Sequence, residues 1–265
     1  MKLARFEDRS GDRHWGIVDE DGGISETHSP FAAPVAPSEE RFPLADVRLL
    51  APVIPPDILA IGRNYSAHAA ESGMDIPDHP TLFIKATASL ADPEGAIQLP
   101  SMAPDQVDYE AELAIVIGRT AHNVTEAQAD QFILGYTCAN DVSARDCQLQ
   151  LDMQWARAKS FATFCPLGPW IETDLDPAAL RIQSRLNGNT MQDACTDQLV
   201  FNCSCLVSYL SRCMPLHPGT IILTGTPAGV GFARKPPVFL RDGDVVEIEV
   251  EGIGVLRNTV SGASF

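Results

Sequence analysis

The stretch DYEAELAIVIG, Asp108 to Gly118, sets acid directly against apolar chain. From Leu113 it runs Leu, Ala, Ile, Val, Ile, a short continuous apolar run of the kind that forms a strand buried in a core. Ahead of that run stand Asp108, Glu110 and Glu112, at alternate positions. Side chains two apart in a strand share a face, so the chain carries negative charge along one face to where it enters the interior. Carboxylates lose hydration on burial and repel one another, so something positive has to meet them there. Cα atoms two strand residues apart are separated by about 6.5 Å, a span that lets Glu110 and Glu112 reach one hard cation. Mg2+ and Ca2+ take oxygen ligands of this kind, and Mg2+ usually keeps positions for water or substrate. The same spacing also describes a solvated strand edge whose acids face water.

Working outward, an apolar strand ILGYTCAN (133–140) ends at Asp141, placed either to cap a following helix in DVSARDCQLQ or to supply a third carboxylate. In RNYSAHAAESG, a short helix predicted between Asn64 as its cap and Gly73 as its end, His68 and Glu71 are three apart and share a face. A carboxylate bonded to one imidazole nitrogen raises the basicity of the other, which suits a general base; a surface His beside a surface acid has the same spacing. Lys85 ends the strand TLFIK (81–85) and Lys159 sits in RAKSFATFCPLGP. Each is placed to snorkel to solvent or to counter the acids. The loop GTPAGVG (225–231) lacks the Gly-Lys-Ser/Thr ending of a phosphate loop and reads as a tight turn.

Composition bounds the partners. The 265 residues are 45% hydrophobic and 20% charged, with a net charge of -16. That balance argues against nucleic acid, which requires a basic footprint, and against an anionic membrane surface. No apolar run approaches the roughly 18 residues of a membrane span, and Glu7 and Asp8 interrupt the start before a signal-peptide core forms. A cytoplasmic protein is expected. The seven cysteines include no C-x-x-C pair, and Cys203 and Cys205 have a poor spacing for zinc; most read as reduced, buried, small apolar residues.

Residues 1 to about 27 alternate strand-like runs with turns and predict a small antiparallel meander. Seven prolines between Ser29 and Pro56 predict a linker or wrapping segment. The division is therefore 1–53, a small N-terminal β-rich domain with a Pro-rich linker, and 54–265, a larger unit. DILAIG (57–62) reads as a strand, 86–107 as loop-rich, TEAQADQF as a helix capped by Thr125, and Asn187-Gly188 as a hairpin turn. CLVSYLSRCMP predicts a helix with Leu206, Leu210 and Cys213 on one face, and DGDVVEIEVEGIGVLRNTV a second hairpin.

Taken in order, IGRNYSAHAAE, PTLFIK, DYEAELAIVIG, NDVSARDCQ, RAKSFATFCPLGPW, LNGNTMQDA and GTIILTGTPAGVG resemble the fumarylacetoacetate hydrolase superfamily over about residues 54 to 262. Each motif is weak alone; the ordered series is specific. The resemblance implies an α+β, predominantly β fold, a mixed β-sandwich-like roll with peripheral helices, usually as a homodimer. It implies a metal triad at Glu110, Glu112 and Asp141 for Mg2+ or Mn2+, a His68–Glu71 dyad on a lid, and an active-site Lys159. Arg145, Gln148 and Thr226 match positions lining the substrate site, and Lys85 is added to them. Asp108 departs from the pattern, where a neutral residue or His stands nearby, and is set behind the ligands. The implied substrate is a small 2-oxo acid. The expected reaction is hydrolysis of a C–C bond in a 2,4-dioxo acid to pyruvate and a carboxylic acid. The alternative is oxaloacetate decarboxylation or tautomerisation, or isomerisation or hydration of a 2-hydroxymuconate-type diacid. The segment 64–75 is expected to be a lid that orders on substrate binding, because its helix is short and its apolar residues are mostly Ala.

Overall fold

The computed structural model describes residues 1–32 and 35–262. At its centre lies the strand Ala111–Ile117, buried at every position. Leu113, Ile115 and Ile117 enter one apolar cluster, whereas Ala114 and Val116 enter another with Leu3, Ile58, Leu167 and Ile171. Both faces are covered, which is why the run is apolar without alternation.

This strand pairs antiparallel with Ile133–Asn140 on one side and Ile221–Leu223 on the other. Beyond Ile221–Leu223 come Ile58–Gly62, in parallel, and then Thr81–Lys85. Beyond Ile133–Asn140 come Cys165–Glu172, Lys2–Glu7, Arg13–Val18, Gly23–Thr27 and Arg41–Pro43. A five-stranded sheet in the order Asn189–Cys195, Arg181–Leu186, Val245–Val250, Gly254–Ser261, Ala96–Gln98 covers one face. Ile182, Val246, Ile248 and Leu256 from this second sheet share a cluster with Leu113, Ile115 and Cys138 from the first. The result is the predominantly β sandwich-like roll that the resemblance implied, accompanied by short helices.

Both predicted hairpins form. Asn187 and Gly188 adopt φ of 51° and 77° between Leu186 and Asn189, the double left-handed turn that matches strand twist. The meander also forms, but the Pro-rich segment is less irregular than predicted. Arg41–Pro43 pairs with Gly23–Thr27, and Arg48–Leu50 with Lys2–Glu7. Lys2 and Leu3 pair with Glu172 and Ile171, so the N-terminal strands continue the main sheet.

Three local expectations are corrected. Asn64 does not cap the helix Ser66–Glu71, whose first flanking residue is Tyr65. Its amide donates to the carbonyls of Phe201 and Thr224 and accepts from the Phe201 N–H, because burial makes those backbone groups the stronger claim. No helix starts at Asp141: Ser143–Ala144 pairs with Val107–Asp108, and the helical turn over Cys147–Leu151 comes later. In the helix Cys203–Cys213, Leu206 and Leu210 are buried but Cys213 is exposed. A period of 3.6 continues the stripe from 206 and 210 to Met214, which packs against the core instead. At Thr125 the expected cap is a capping box, with Gln128 accepting from the Thr125 N–H at 3.2 Å.

Candidate active site

The central strand begins after a break at Tyr109–Glu110, between Val107–Asp108 and Ala111–Ile117. Ala111 pairs with Asn140, so the neighbouring chain leaves its strand level with Glu110, and the Asp141 N–H donates to the Glu110 carbonyl at 3.0 Å. Pairing register thus delivers Asp141 to the two glutamates. Oxygens of Glu110, Glu112 and Asp141 lie within 4.8 Å of one another, and all three residues are buried.

The surrounding charges are unevenly shared. Lys159 Nζ donates to Glu110 Oε2 at 2.8 Å and to Asp141 Oδ2 at 2.6 Å. Lys85, fully enclosed and not snorkelling, donates to Asp141 Oδ1. Burial opposes the Lys159 charge, but Asp141 and Glu110 outweigh it and hold the ammonium above its ordinary value. Burial likewise opposes ionisation of Glu110; Lys159 and Arg145 outweigh it, so that carboxyl is lowered. Glu112 gets less such help, with Lys159 the smallest of the influences on it. Its carboxylate takes one donor, the Gly225 N–H at 2.7 Å, and burial plus the charges of Asp141 and Glu110 push it well up. Gly225 is required for that contact: its φ is +105°, and a Cβ would lie 2.7 Å from that of Asn64.

These donors fit a divalent cation. They are all oxygen, Glu112 is a buried acid short of positive partners, and a carboxylate with several lone pairs can accept from lysine and still ligate.

Asp108 does not join the triad. It accepts from Arg145 Nε at 2.9 Å and from the N–H groups of Gly231 and Phe232 at 2.8 and 3.0 Å. It therefore aims Arg145 and anchors the loop after Gly225, a role its place in the alternating acids did not reveal. Arg145 Nη1 donates to Gln148 Oε1 at 2.7 Å. Its Nη2 lies 2.7 Å from Glu110 Oε1, off the hydrogen-bonding direction. The Thr226 hydroxyl accepts from Gln192 Nε2 at 2.7 Å, linking the site to the second sheet.

His68 is buried, and its Nδ1 lies 2.8 Å from Glu71 Oε1. Glu71 in turn accepts the Gly229 N–H at 2.9 Å. With Nδ1 engaged, Nε2 is the nitrogen left to serve the site. The helix Ser66–Glu71 is docked, so the fold itself brings the dyad to the triad. A cavity of about 30 Å³ is lined by His68, the three acids, Lys159, Arg145, Gln148 and Thr226. Lys85 is behind Asp141 and does not line it. Arg63, Ser72, Phe83, Trp155 and Phe232 also line the cavity. None was singled out from the sequence, since apolar and loop residues carry no spacing signal there.

The cysteines lie apart from this chemistry. All seven are unpaired, and burial pushes the thiols of Cys138, Cys165 and Cys203 up to about 12. Among the described residues no helix is long and apolar enough to cross a membrane.

Residues 57–261 match the family described as fumarylacetoacetate (FAA) hydrolase C-terminal, and residues 1–52 one described as Rv2993c-like, N-terminal. A mitochondrial oxaloacetate tautomerase of Rattus norvegicus is 42% identical over 223 residues, 83% of this chain and 71% of that protein. The structure of 5-carboxymethyl-2-hydroxymuconate delta-isomerase from Mycobacterium smegmatis matches with a TM-score of 0.89 and 45% identity, covering 99% of this chain and 100% of that one. That of 2-hydroxyhepta-2,4-diene-1,7-dioate isomerase from Mycobacterium marinum matches with a TM-score of 0.88 and 41% identity over 100% of both chains. With a family match over residues 57–261 and a relative 42% identical over 83% of the chain, the chain belongs to the fumarylacetoacetate hydrolase family of enzymes.

Proposed function

We propose that this protein is a divalent-metal-dependent enzyme that interconverts keto and enol, or positional, isomers of a 2-oxo acid of the oxaloacetate or 2-hydroxymuconate type. The observation that carries this reading is the constellation of three buried acids, buried Lys159 and His68, oriented by Glu71, at one small cavity. Similarity to a tautomerase and to two isomerases supports this reaction over the C–C hydrolysis expected from the motifs.

Glu110, Glu112 and Asp141 would hold the cation, which when bound supplies Lewis-acid polarisation of a 2-oxo group, worth several kcal/mol. Lys159, kept protonated by Asp141 and Glu110, offers N–H to oxygen charge that develops on enolisation. His68 Nε2 takes or returns the proton at the adjacent carbon, and Glu71, fixed by Gly229, holds the ring in place. Arg145, steered by Asp108, positions the substrate carboxylate with Gln148 and Thr226. Phe83, Trp155 and Phe232 restrict water, which favours proton return to carbon over hydrolysis.

The test is to follow enol-to-keto conversion of oxaloacetate by ultraviolet absorbance and cleavage of acetylpyruvate by NMR, each with Mg2+ or Mn2+ and against metal alone. Faster tautomerisation with little cleavage is expected. Preferred cleavage to acetate and pyruvate would return the reading to hydrolysis.

A further inference from the structure

Arg63 follows the strand Ile58–Gly62 with φ of +59°, a left-handed conformation uncommon for long side chains and concentrated at functional sites. The backbone is held there because Asn64, the next residue, is buried and tied by three hydrogen bonds. Arg63 lines the same cavity as the triad. Its Nη2 donates to Thr81 Oγ1 at 3.1 Å and its Nη1 to the Asp75 carbonyl at 3.4 Å, both neutral acceptors. Its Nε is buried without a partner. In a chain of net charge -16, this guanidinium has no carboxylate within ion-pair distance among the described residues. Ser72, at the other end of the helix Ser66–Glu71, also lines the cavity, and its Oγ is likewise buried and unpartnered. Leaving a charged donor unsatisfied costs more than the 1–3 kcal/mol typical of neutral groups. Both residues border one cavity, and each has a donor that an acceptor arriving with the ligand would satisfy.

The other lining cations already stand beside acids: Lys159 beside Glu110 and Asp141, and Arg145 beside Asp108 and Glu110. Among the described residues, Arg63 is the one arginine or lysine lining the cavity with no carboxylate in ion-pair distance. A carboxylate suits it, since its two oxygens can accept from more than one donor, a guanidinium N–H and a hydroxyl among them. We propose that Arg63 and Ser72 form the subsite for the distal carboxylate of a dicarboxylic 2-oxo acid, and that they select diacids over monoacids. The assignment rests on the 2-oxo acid reading above. A substrate with a methyl group at this end leaves both donors buried and unpaired, which is how a polar pocket rejects an apolar analogue.

The test compares oxaloacetate with 2-oxobutyrate, in which a methyl replaces the distal carboxylate, by C3 deuterium exchange. Arg63→Met should lower kcat/KM for oxaloacetate by about 10- to 100-fold, the worth of a charge-assisted hydrogen bond, and leave 2-oxobutyrate nearly unchanged. Ser72→Ala should act in the same direction and more weakly, and Arg63→Lys should recover part of the loss. Unchanged Mn2+ affinity and melting temperature show that each variant is folded. Calorimetric binding of L-malate against 2-hydroxybutyrate to the Mn2+-loaded protein reads the same preference without turnover. A protein exchanging neither acid would overturn the proposed reaction, while the subsite stands or falls on that binding ratio. Equal losses on diacid and monoacid, or no loss on the diacid, would overturn the subsite.

Discussion

Two glutamates two residues apart carry opposite electrostatic loads. Glu110 is lowered and answered by Lys159 and Arg145, whereas Glu112 is raised by burial and by its acidic neighbours. Glu110→Gln should therefore destabilise the metal-free protein by about 3 kcal/mol or more, because it strips a partner from buried cations. Glu112→Gln should leave the metal-free protein as stable or more stable. Both should weaken Mn2+ binding by more than about 100-fold, beyond the loss from an outer-shell partner. Denaturation without metal and titration with Mn2+ check the pair, and equal destabilisation by both would contradict the assignment. The pH dependence follows with a definite sign. Between the ordinary value of Glu112, 4.5, and its raised value in the fold, the metal-free native state keeps a proton that the unfolded chain has lost. Its stability contribution therefore falls as pH rises through that window. A cation requires the ionised form, so the rise in Tm caused by Mn2+ should grow with pH across the same window. A rise independent of pH would remove Glu112 from the ligand set.

The helix Ser66–Glu71 is a single short element that stays in place through tertiary contacts. An isolated helix of this length is marginal; here His68 and Ala69 are buried, and Glu71 is joined to the loop at Gly229. Glu71→Ala should release both the imidazole and that loop. A fall in kcat of about 100-fold or more is expected, the scale of a positioned base, with Mn2+ affinity nearly unchanged. A parallel loss of Mn2+ binding would mean that Glu71 supports the metal site instead. The cavity is narrow, and movement of a bordering element would widen the way in for a four-carbon acid. Ser72 and Met74 border the cavity at the end of this helix, which makes 64–75 the segment to open. Its amides should exchange faster in the free enzyme than with Mn2+ and oxalate bound. Equal protection in both states would show a fixed helix.

Across the whole molecule, the N-terminal strands share both sheet and core with the rest. Leu3, Ala51 and Val53 pack with Ile58, Leu167 and Ile171. Although the sequence divides near 53, removal of residues 1–52 should expose the edge of Cys165–Glu172 and the apolar face behind it. We expect that truncation to aggregate and the full chain to unfold in one calorimetric transition; a soluble, folded 54–265 fragment would establish two independent units. A homodimer remains our proposal, with light scattering as its check, and a monomer at micromolar concentration would exclude it.

Strand periodicity alone placed Glu110 and Glu112 on one face, and turn chemistry alone placed the Asn187-Gly188 hairpin, because both depend on neighbours a few residues away. The ordered motifs carried the family, and with it Asp141, His68 and Lys159. What local pattern could not supply was pairing across the chain. Asn64 reads as a helix cap until Phe201 and Thr224 are brought to it. Asp141 reads as a helix start until the register Ala111↔Asn140 sets it beside Glu110. Asp108 reads as one more acid of the strand until Arg145 and the backbone of Gly231 and Phe232 surround it. Arg63 carries no local signal in the sequence, and only the fold holds its backbone at φ +59° and encloses its Nε. Which acids meet a lysine, which cation is left without an acid, and how small the cavity between them becomes are set by long-range packing. Such charges owe their energies to partners dozens of residues away and to the exclusion of water, and only the tertiary structure decides both.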